Sequence, residues 1–372
     1  MKRCCLLLAC GLFLVLLSGC WDQRLLKNQR NVSIGGMDRA PNGMLLATVS
    51  IRDKKTSEAG PKDSNEIHSV MAKTTQNARE LLNQQVSGGY SSSKMRVLLL
   101  GEELVKQHDF LPNLDVYFRD PRSPLNARLA VVHGKAQDTI NKKIVGTTTI
   151  GQYVDKLIES IEDSTTIPKV NLQSIHPLDR GYDFALPYLM NSKPYPIISG
   201  IAMFHGTRMT GNLNLDESTL YLLLANQMGK TAQLTLKAVT QRKVAELDYV
   251  TIAVQKLKRT LKVKVQDDQQ IDVQLDLKLK VTVIEDPHNQ LYKKEVVDKL
   301  DQLLSDDLTK KAKTIIQKMQ HSHHDGFGIA RRLMAYYPEV WSQVKENWAD
   351  KYTQVRFHSQ IRVEIINSGI IN

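Results

Sequence analysis

Apolar and polar residues alternate strictly through Ile271, Val273, Leu275, Leu277, Leu279, Val281 and Val283. That period of two predicts a long strand with one buried face. Leu261, Val263 and Val265 alternate in the same way, so residues 266–270 are expected to form a hairpin loop. The period then changes. Val297, Leu300, Leu304, Leu308, Ala312, Ile315 and Met319 recur at helical spacing and predict one long amphipathic helix. Val340, Trp341, Val344 and Trp348 predict a second, shorter helix. Val355, Phe357, Ile361, Val363 and Ile365 predict a closing strand.

The first half reads less regularly. Strands are expected at residues 31–38 and 44–51, joined by the turn Ala40-Pro41-Asn42-Gly43. Residues 53–66 are polar, carry Gly60-Pro61 and are expected to be a mobile loop. A helix is expected from Val70 and Met71 through Thr74, Ala78, Leu81, Leu82 and Val86, followed by strands at 95–100 and 127–133. Further helices are expected at 102–108 and from Ala136 onward. Pro168, Pro177, Pro187, Pro194 and Pro196 suggest a domain boundary near Ser192. Beyond it a strand at 197–203 is expected to turn at Thr210-Gly211-Asn212 into a short helix at 216–225. Strands, then helices, then a returning strand give a fold class of α+β, with mostly antiparallel or mixed sheets and helices packed on them. Three domains are expected, at 20–192, 193–245 and 246–372, behind a leader of residues 1–19.

Residues 1–20 carry the most specific pattern in the chain. Met1-Lys2-Arg3 precedes an apolar run from Leu6 to Leu17 and then Leu17-Ser18-Gly19-Cys20. A dozen apolar residues are too few for a transmembrane helix, which needs ~20. Basic start, short apolar run and small residues make a secretory signal peptide, and the terminal cysteine gives it the form of a bacterial lipobox. Cys20 is thus the expected lipidation site. All four cysteines lie at or before it, so cleavage leaves no disulfide, thiolate metal site or cysteine nucleophile in the folded part. The formal charge of +11 suits anionic lipid or acidic wall polymer better than nucleic acid for an exported chain, and the charges are interleaved along the sequence.

No catalytic signature follows. There is no Gly-x-Ser-x-Gly elbow, phosphate-binding glycine loop or His-Glu-x-x-His helix. His321-Ser322-His323-His324-Asp325 is the single metal-like cluster, but its ligands crowd within a few residues; a helix terminus with Asp325 capping the next helix is the better reading. Asp267-Asp268 and Asp306-Asp307 read as solvated carboxylates. Trp341 and Trp348, seven residues apart, read as a core stripe. No catalytic residue, metal or cofactor is expected.

Several segments, in order, resemble the C-subunit lipoproteins of spore germinant receptors, the Ger(x)C family. They are Gly19-Cys20-Trp21-Asp22, Ile34-Gly35-Gly36-Met37-Asp38, and Arg96-Val97-Leu98-Leu99-Leu100-Gly101-Glu102-Glu103-Leu104. Phe118-Arg119-Asp120-Pro121 with Leu125-Asn126-Ala127, then Gly200-Ile201-Ala202-Met203-Phe204 with Met209-Thr210-Gly211, continue the match. Phe327-Gly328, Tyr337-Pro338, Trp341 and Trp348 complete it. The chain departs from the family in one extra glycine near Ile34 and in the histidine cluster. The resemblance implies a three-domain α+β fold and a lipid-anchored subunit on the outer face of the spore inner membrane. It also implies integral membrane A- and B-type subunits as partners, and no enzymatic activity. A solute-binding lipoprotein of a membrane transporter is the alternative, and would show two α/β lobes around a cleft.

Overall fold

Asn42 and Gly43 reverse the chain between the first two strands, with Gly43 at a φ of +78° and the Asn42 side chain accepting from the Met44 amide. The computed structural model describes residues 29–367, apart from 58–59, 108, 176–182, 238–244 and 288–289. The expected leader and Cys20 lie outside the described residues. In chain order the first elements are β1 (Gln29–Arg39), β2 (Leu45–Ser57), β3 (Gly60–Ala72), α1 (Thr75–Gln85), β4 (Gly89–Ser91), β5 (Val97–Gly101), α2 (Glu102–Gln107) and α3 (Asp115–Arg119). Then come β6 (Arg128–His133), α4 (Ala136–Ile140), β7 (Ile144–Val145), β8 (Thr148–Thr149), α5 (Ile150–Asp163), β9 (Ala185–Met190), β10 (Ile197–His205), β11 (Arg208–Asn214) and α6 (Leu215–Leu224). The remainder is β12 (Gln233–Lys237), β13 (Tyr249–Val265), β14 (Ile271–Glu285), α7 (Lys294–His321), α8 (Ile329–Tyr336), α9 (Pro338–Val344), α10 (Trp348–Thr353) and β15 (Arg356–Asn367).

Two sheets carry the molecule. The large one has the order β11-β10-β9-β6-β5-β1-β2-β3, with β4 beside β1. Its centre is parallel: β1 with β5, β5 with β6, β6 with β9. Val97 to Leu100 are all buried, as a strand covered on both faces requires. Val97 and Leu99 pack into one apolar cluster, Leu98 and Leu100 into the other. Arg96 and Arg128 at the start of β5 and β6 converge on Asp155 of α5, at 3.1 and 2.6 Å.

The small sheet has the order β12-β13-β14-β15. β13 and β14 form the long antiparallel hairpin read from the alternation, closed by Gln266–Gln270 backbone bonding. β15 returns parallel to β14, because α7 to α10 form a crossover between them. The edge of β15 is covered by α7. Ile361, Val363 and Ile365 amides donate to Thr309 Oγ1, Ser305 Oγ and Asp301 Oδ1 at 3.0, 2.9 and 2.9 Å. Four helical residues rise ~6 Å and two strand residues ~6.6 Å, so the two spacings keep step. One apolar cluster runs from the large sheet through α5 and α6 to the inner face of the small sheet.

Some expectations need correction. Residues 53–66 are not a loop: β2 and β3 continue as paired arms to Ser57 and Gly60. Val70 and Met71 end β3, and the helix begins only at Thr75, capped by the Thr74 side chain. The β10–β11 turn falls at Gly206, with Thr210 to Asn212 inside β11. The expected second helix is two, α9 and α10, and α8 precedes them. β10 and β11, beyond Ser192, complete the large sheet beside β9.

Candidate functional site: the buried joint between the two halves

The histidine cluster sits where α7 ends, against the large sheet. His321 Nδ1 lies 2.7 Å from its own helix carbonyl Gln317, and His323 Nδ1 2.9 Å from the Ala349 carbonyl. His324 is fully buried. Its Nδ1 donates to the Phe204 carbonyl at 2.6 Å, which leaves Nε2 to accept from the Tyr221 hydroxyl at 3.0 Å. Both ring nitrogens are therefore used in joining β10, α6 and α7. Asp325 accepts from the Ile329 and Ala330 amides at 2.8 and 2.7 Å and so caps α8.

Asp183 ties this segment to the other half. Its Oδ2 accepts from the Asp325 amide at 2.7 Å and from His205 Nδ1 at 3.2 Å, and its Oδ1 accepts from the Gly206 amide at 2.9 Å. The Asp183 amide in turn donates to the Asp325 carbonyl. Burial alone would raise the Asp183 pKa, but the hydrogen bonds from His205 and the Gly206 amide hold it below the usual carboxylate range. The first of these hydrogen bonds raises that of His205. Burial lowers the His324 pKa and pushes that of Asp325 up to about 8. Phe184 and Phe204 stack beside them at 4.7 Å.

The carboxylates of Asp183 and Asp325 and both ring nitrogens of His324 are thus hydrogen-bonded within the joint. A cleft of about 420 Å³ opens next to it, lined by Lys169, Asp183, Tyr221, Met228, Lys230 and Gly326. Three others, of about 260, 460 and 450 Å³, lie elsewhere, so size does not single it out. Lys169 and Lys230 already pair with Asp163 at 3.0 and 2.7 Å.

The remaining sequence candidates take structural positions. Asp268 accepts from the Gln270 amide within the hairpin loop, and Asp306 and Asp307 bond to Gln302 and Lys311 along α7. Trp341 and Trp348 meet edge-on at 5.7 Å, with Trp348 buried. The quoted motifs are likewise built into the fold. Buried Asp38 accepts from the Ala136 and Gln137 amides at the start of α4, and a Cβ on Gly101 would collide with its carboxylate. Asp120 pairs with Arg79, which lies over the Tyr117 ring. Gly200 has a φ of +145°, and any side chain there would strike the Leu213 carbonyl. Asp183, His205 and Tyr221 escape a reading by motif: no spacing links them, and Tyr221 sits in the apolar run of α6.

Comparison with known proteins agrees with this arrangement. The model for the spore germination protein N-terminal domain matches residues 22–190, and that for the spore germination B3/GerAC-like C-terminal region matches 199–369. The chain belongs to the Ger(x)C family of spore germination proteins. It is 22% identical to spore germination protein GerQC of Bacillus cereus over 100% of this chain and 99% of that one. It is 21% identical to spore germination protein B3 of Bacillus subtilis (strain 168) over 75% of each. The crystal structure of the GerBC protein shares the fold, with a TM-score of 0.56 at 18% identity over 89% of this chain and 96% of that one.

Proposed function

We propose that this chain is the lipid-anchored C-type subunit of a nutrient-germinant receptor. It is held on the outer face of the spore inner membrane through acylated Cys20 and acts by contact with integral membrane A- and B-type subunits. The observation that carries the reading is the pair of spore germination domains spanning 22–190 and 199–369, directly behind Gly19-Cys20. Two further points support it. No helix among the described residues is long and apolar enough to cross a membrane, so a lipid would supply the attachment. The buried titratable groups of the joint are tied to one another and to backbone, which suits a rigid contact module better than a catalyst.

The division at 20–192, 193–245 and 246–372 is part of the same proposal as a division of the sequence, since β10 and β11 beyond Ser192 still pair into the large sheet. Cys20→Ala tests the anchor: the variant is expected to leave the membrane fraction of spores, and full retention would refute it. Co-purification from spore membranes tests the partners. Two integral membrane subunits are expected with the chain, and recovery of a transporter instead would favour a solute-binding role.

A further inference from the structure

The small sheet buries one face only, and its other face gathers cations that lie far apart in the sequence. The period of two sends Lys256, Lys258, Lys262 and Lys264 of β13 to the outer side, all exposed. Lys278 and Lys280 of β14, and Arg356, His358 and Arg362 of β15, join them. The register sets Lys258 opposite Lys278, and Lys278 opposite Arg362, three cations abreast. Lys256 and Lys280 face each other in the next row. Asp272, Asp276 and Glu364 are the acidic residues that β13 to β15 place on this face, and Lys280 with Glu364, at 3.0 Å, is the one ion pair among the described residues of these three strands; at the β12 edge Lys237 pairs with Asp248. Asp272 and Asp276 are engaged by Gln266 and Gln274.

Like charges directly opposite in a sheet oppose folding. The apolar inner face supplies the cohesion, so the row of cations serves no need of the fold. Strands about 4.8 Å apart rising ~3.3 Å per residue spread these charges over a plane. None of the four cavities is lined by them. A flat array of flexible ammonium groups matches a plane of anions better than a single bound anion. Where β14 and β15 end, Ile284 and Ile366 are 52% and 48% exposed, aliphatic side chains of the kind that settle at headgroup depth.

We propose that this face docks on anionic phospholipid headgroups and so fixes the orientation of the C-terminal half on the bilayer. The inference rests on the anchored reading above, which places the domain beside a membrane. An acidic protein surface satisfies the charges but gives no use to the exposed isoleucines.

The test uses the full chain purified from membranes and reconstituted into vesicles of phosphatidylcholine alone, or of phosphatidylcholine with phosphatidylglycerol. Flotation reports attachment, and amine acetylation read by mass spectrometry reports the face. Acetylation of Lys256, Lys258, Lys262, Lys264, Lys278 and Lys280 is expected to fall several-fold on the anionic vesicles, and to recover in high salt. Lysines of the large-sheet half serve as the internal reference. Lys258→Glu with Lys278→Glu is expected to abolish the protection while circular dichroism stays unchanged. Flotation on both vesicles with equal acetylation would overturn the face and leave the anchor standing. Flotation on anionic vesicles only, with protection, would support the face and refute the anchor. Protection that needs added integral membrane subunits in neutral vesicles would assign the face to a protein and overturn the proposal.

Discussion

The two sheets solve the same packing problem in opposite ways. The large sheet puts helices on both sides of a parallel centre, so β5 is apolar at every position from Val97 to Leu100. The small sheet covers one side with α7 and leaves the other to lysine. The first arrangement spends nearly every side chain on cohesion. The second frees half of them for something outside the fold. A substitution should therefore be judged by the sheet it falls on and then by the face.

Leu99→Ala strikes the two-sided sheet where no relaxation is available, and is expected to cost about 4 kcal/mol in urea denaturation. A loss below about 1 kcal/mol would mean that the large sheet is far looser than its burial implies. His324→Phe acts at the joint. It keeps the ring but leaves the Phe204 carbonyl and the Tyr221 hydroxyl without their partner, for an expected loss of about 2 kcal/mol at pH 8. The native His324 has its pKa lowered by burial, so below its ordinary 6.5 the unfolded chain takes up a proton that the folded chain refuses. Native stability then falls with acid on this account, and the gap to the phenylalanine variant is expected to narrow between pH 8 and pH 5. A gap that stays constant from pH 8 to pH 5 would place the ring in contact with water.

Ser305→Ala removes one cover of the β15 edge. A loss of about 1 kcal/mol is expected, with faster hydrogen exchange at the Val363 amide. Unchanged exchange there would show that the strand does not depend on the helix. Lys258→Gln is the smallest change. On the open face it is expected to lie within about 0.5 kcal/mol of native in thermal denaturation, on the stabilising side, since it relieves the like charge of Lys278 directly opposite. A clear destabilisation would mean that the cations hold the sheet together.

How much of this the sequence discloses follows from which force shapes each element. Strands β13, β14 and β15 and helix α7 have one wet face and one dry face, so their periods are written in the residues. The far ends of β2 and β3 are polar in sequence and are held by backbone pairing, which leaves no apolar signature; a polar stretch with Gly60-Pro61 therefore reads as a loop. Gly211 imitates a turn but lies within β11, where Ser322 presses close against it. Asp325 is readable as a helix cap because its targets follow within five residues. Asp183, its partner across the joint, is 142 residues away and has no local mark. The lysine face is half legible: alternation assigns each lysine to the outside, but only the register sets Lys258, Lys278 and Arg362 side by side.

On the anchored reading proposed above, the ladder of Asp301, Ser305 and Thr309 along β15 matters in a crowded membrane plane. An unpaired strand edge is a template on which a second chain can anneal, and neighbours tethered to one bilayer meet at high local concentration. With its amides already engaged by side chains of its own helix, this edge cannot seed such a stack. On that reading, copies held side by side would not anneal through β15.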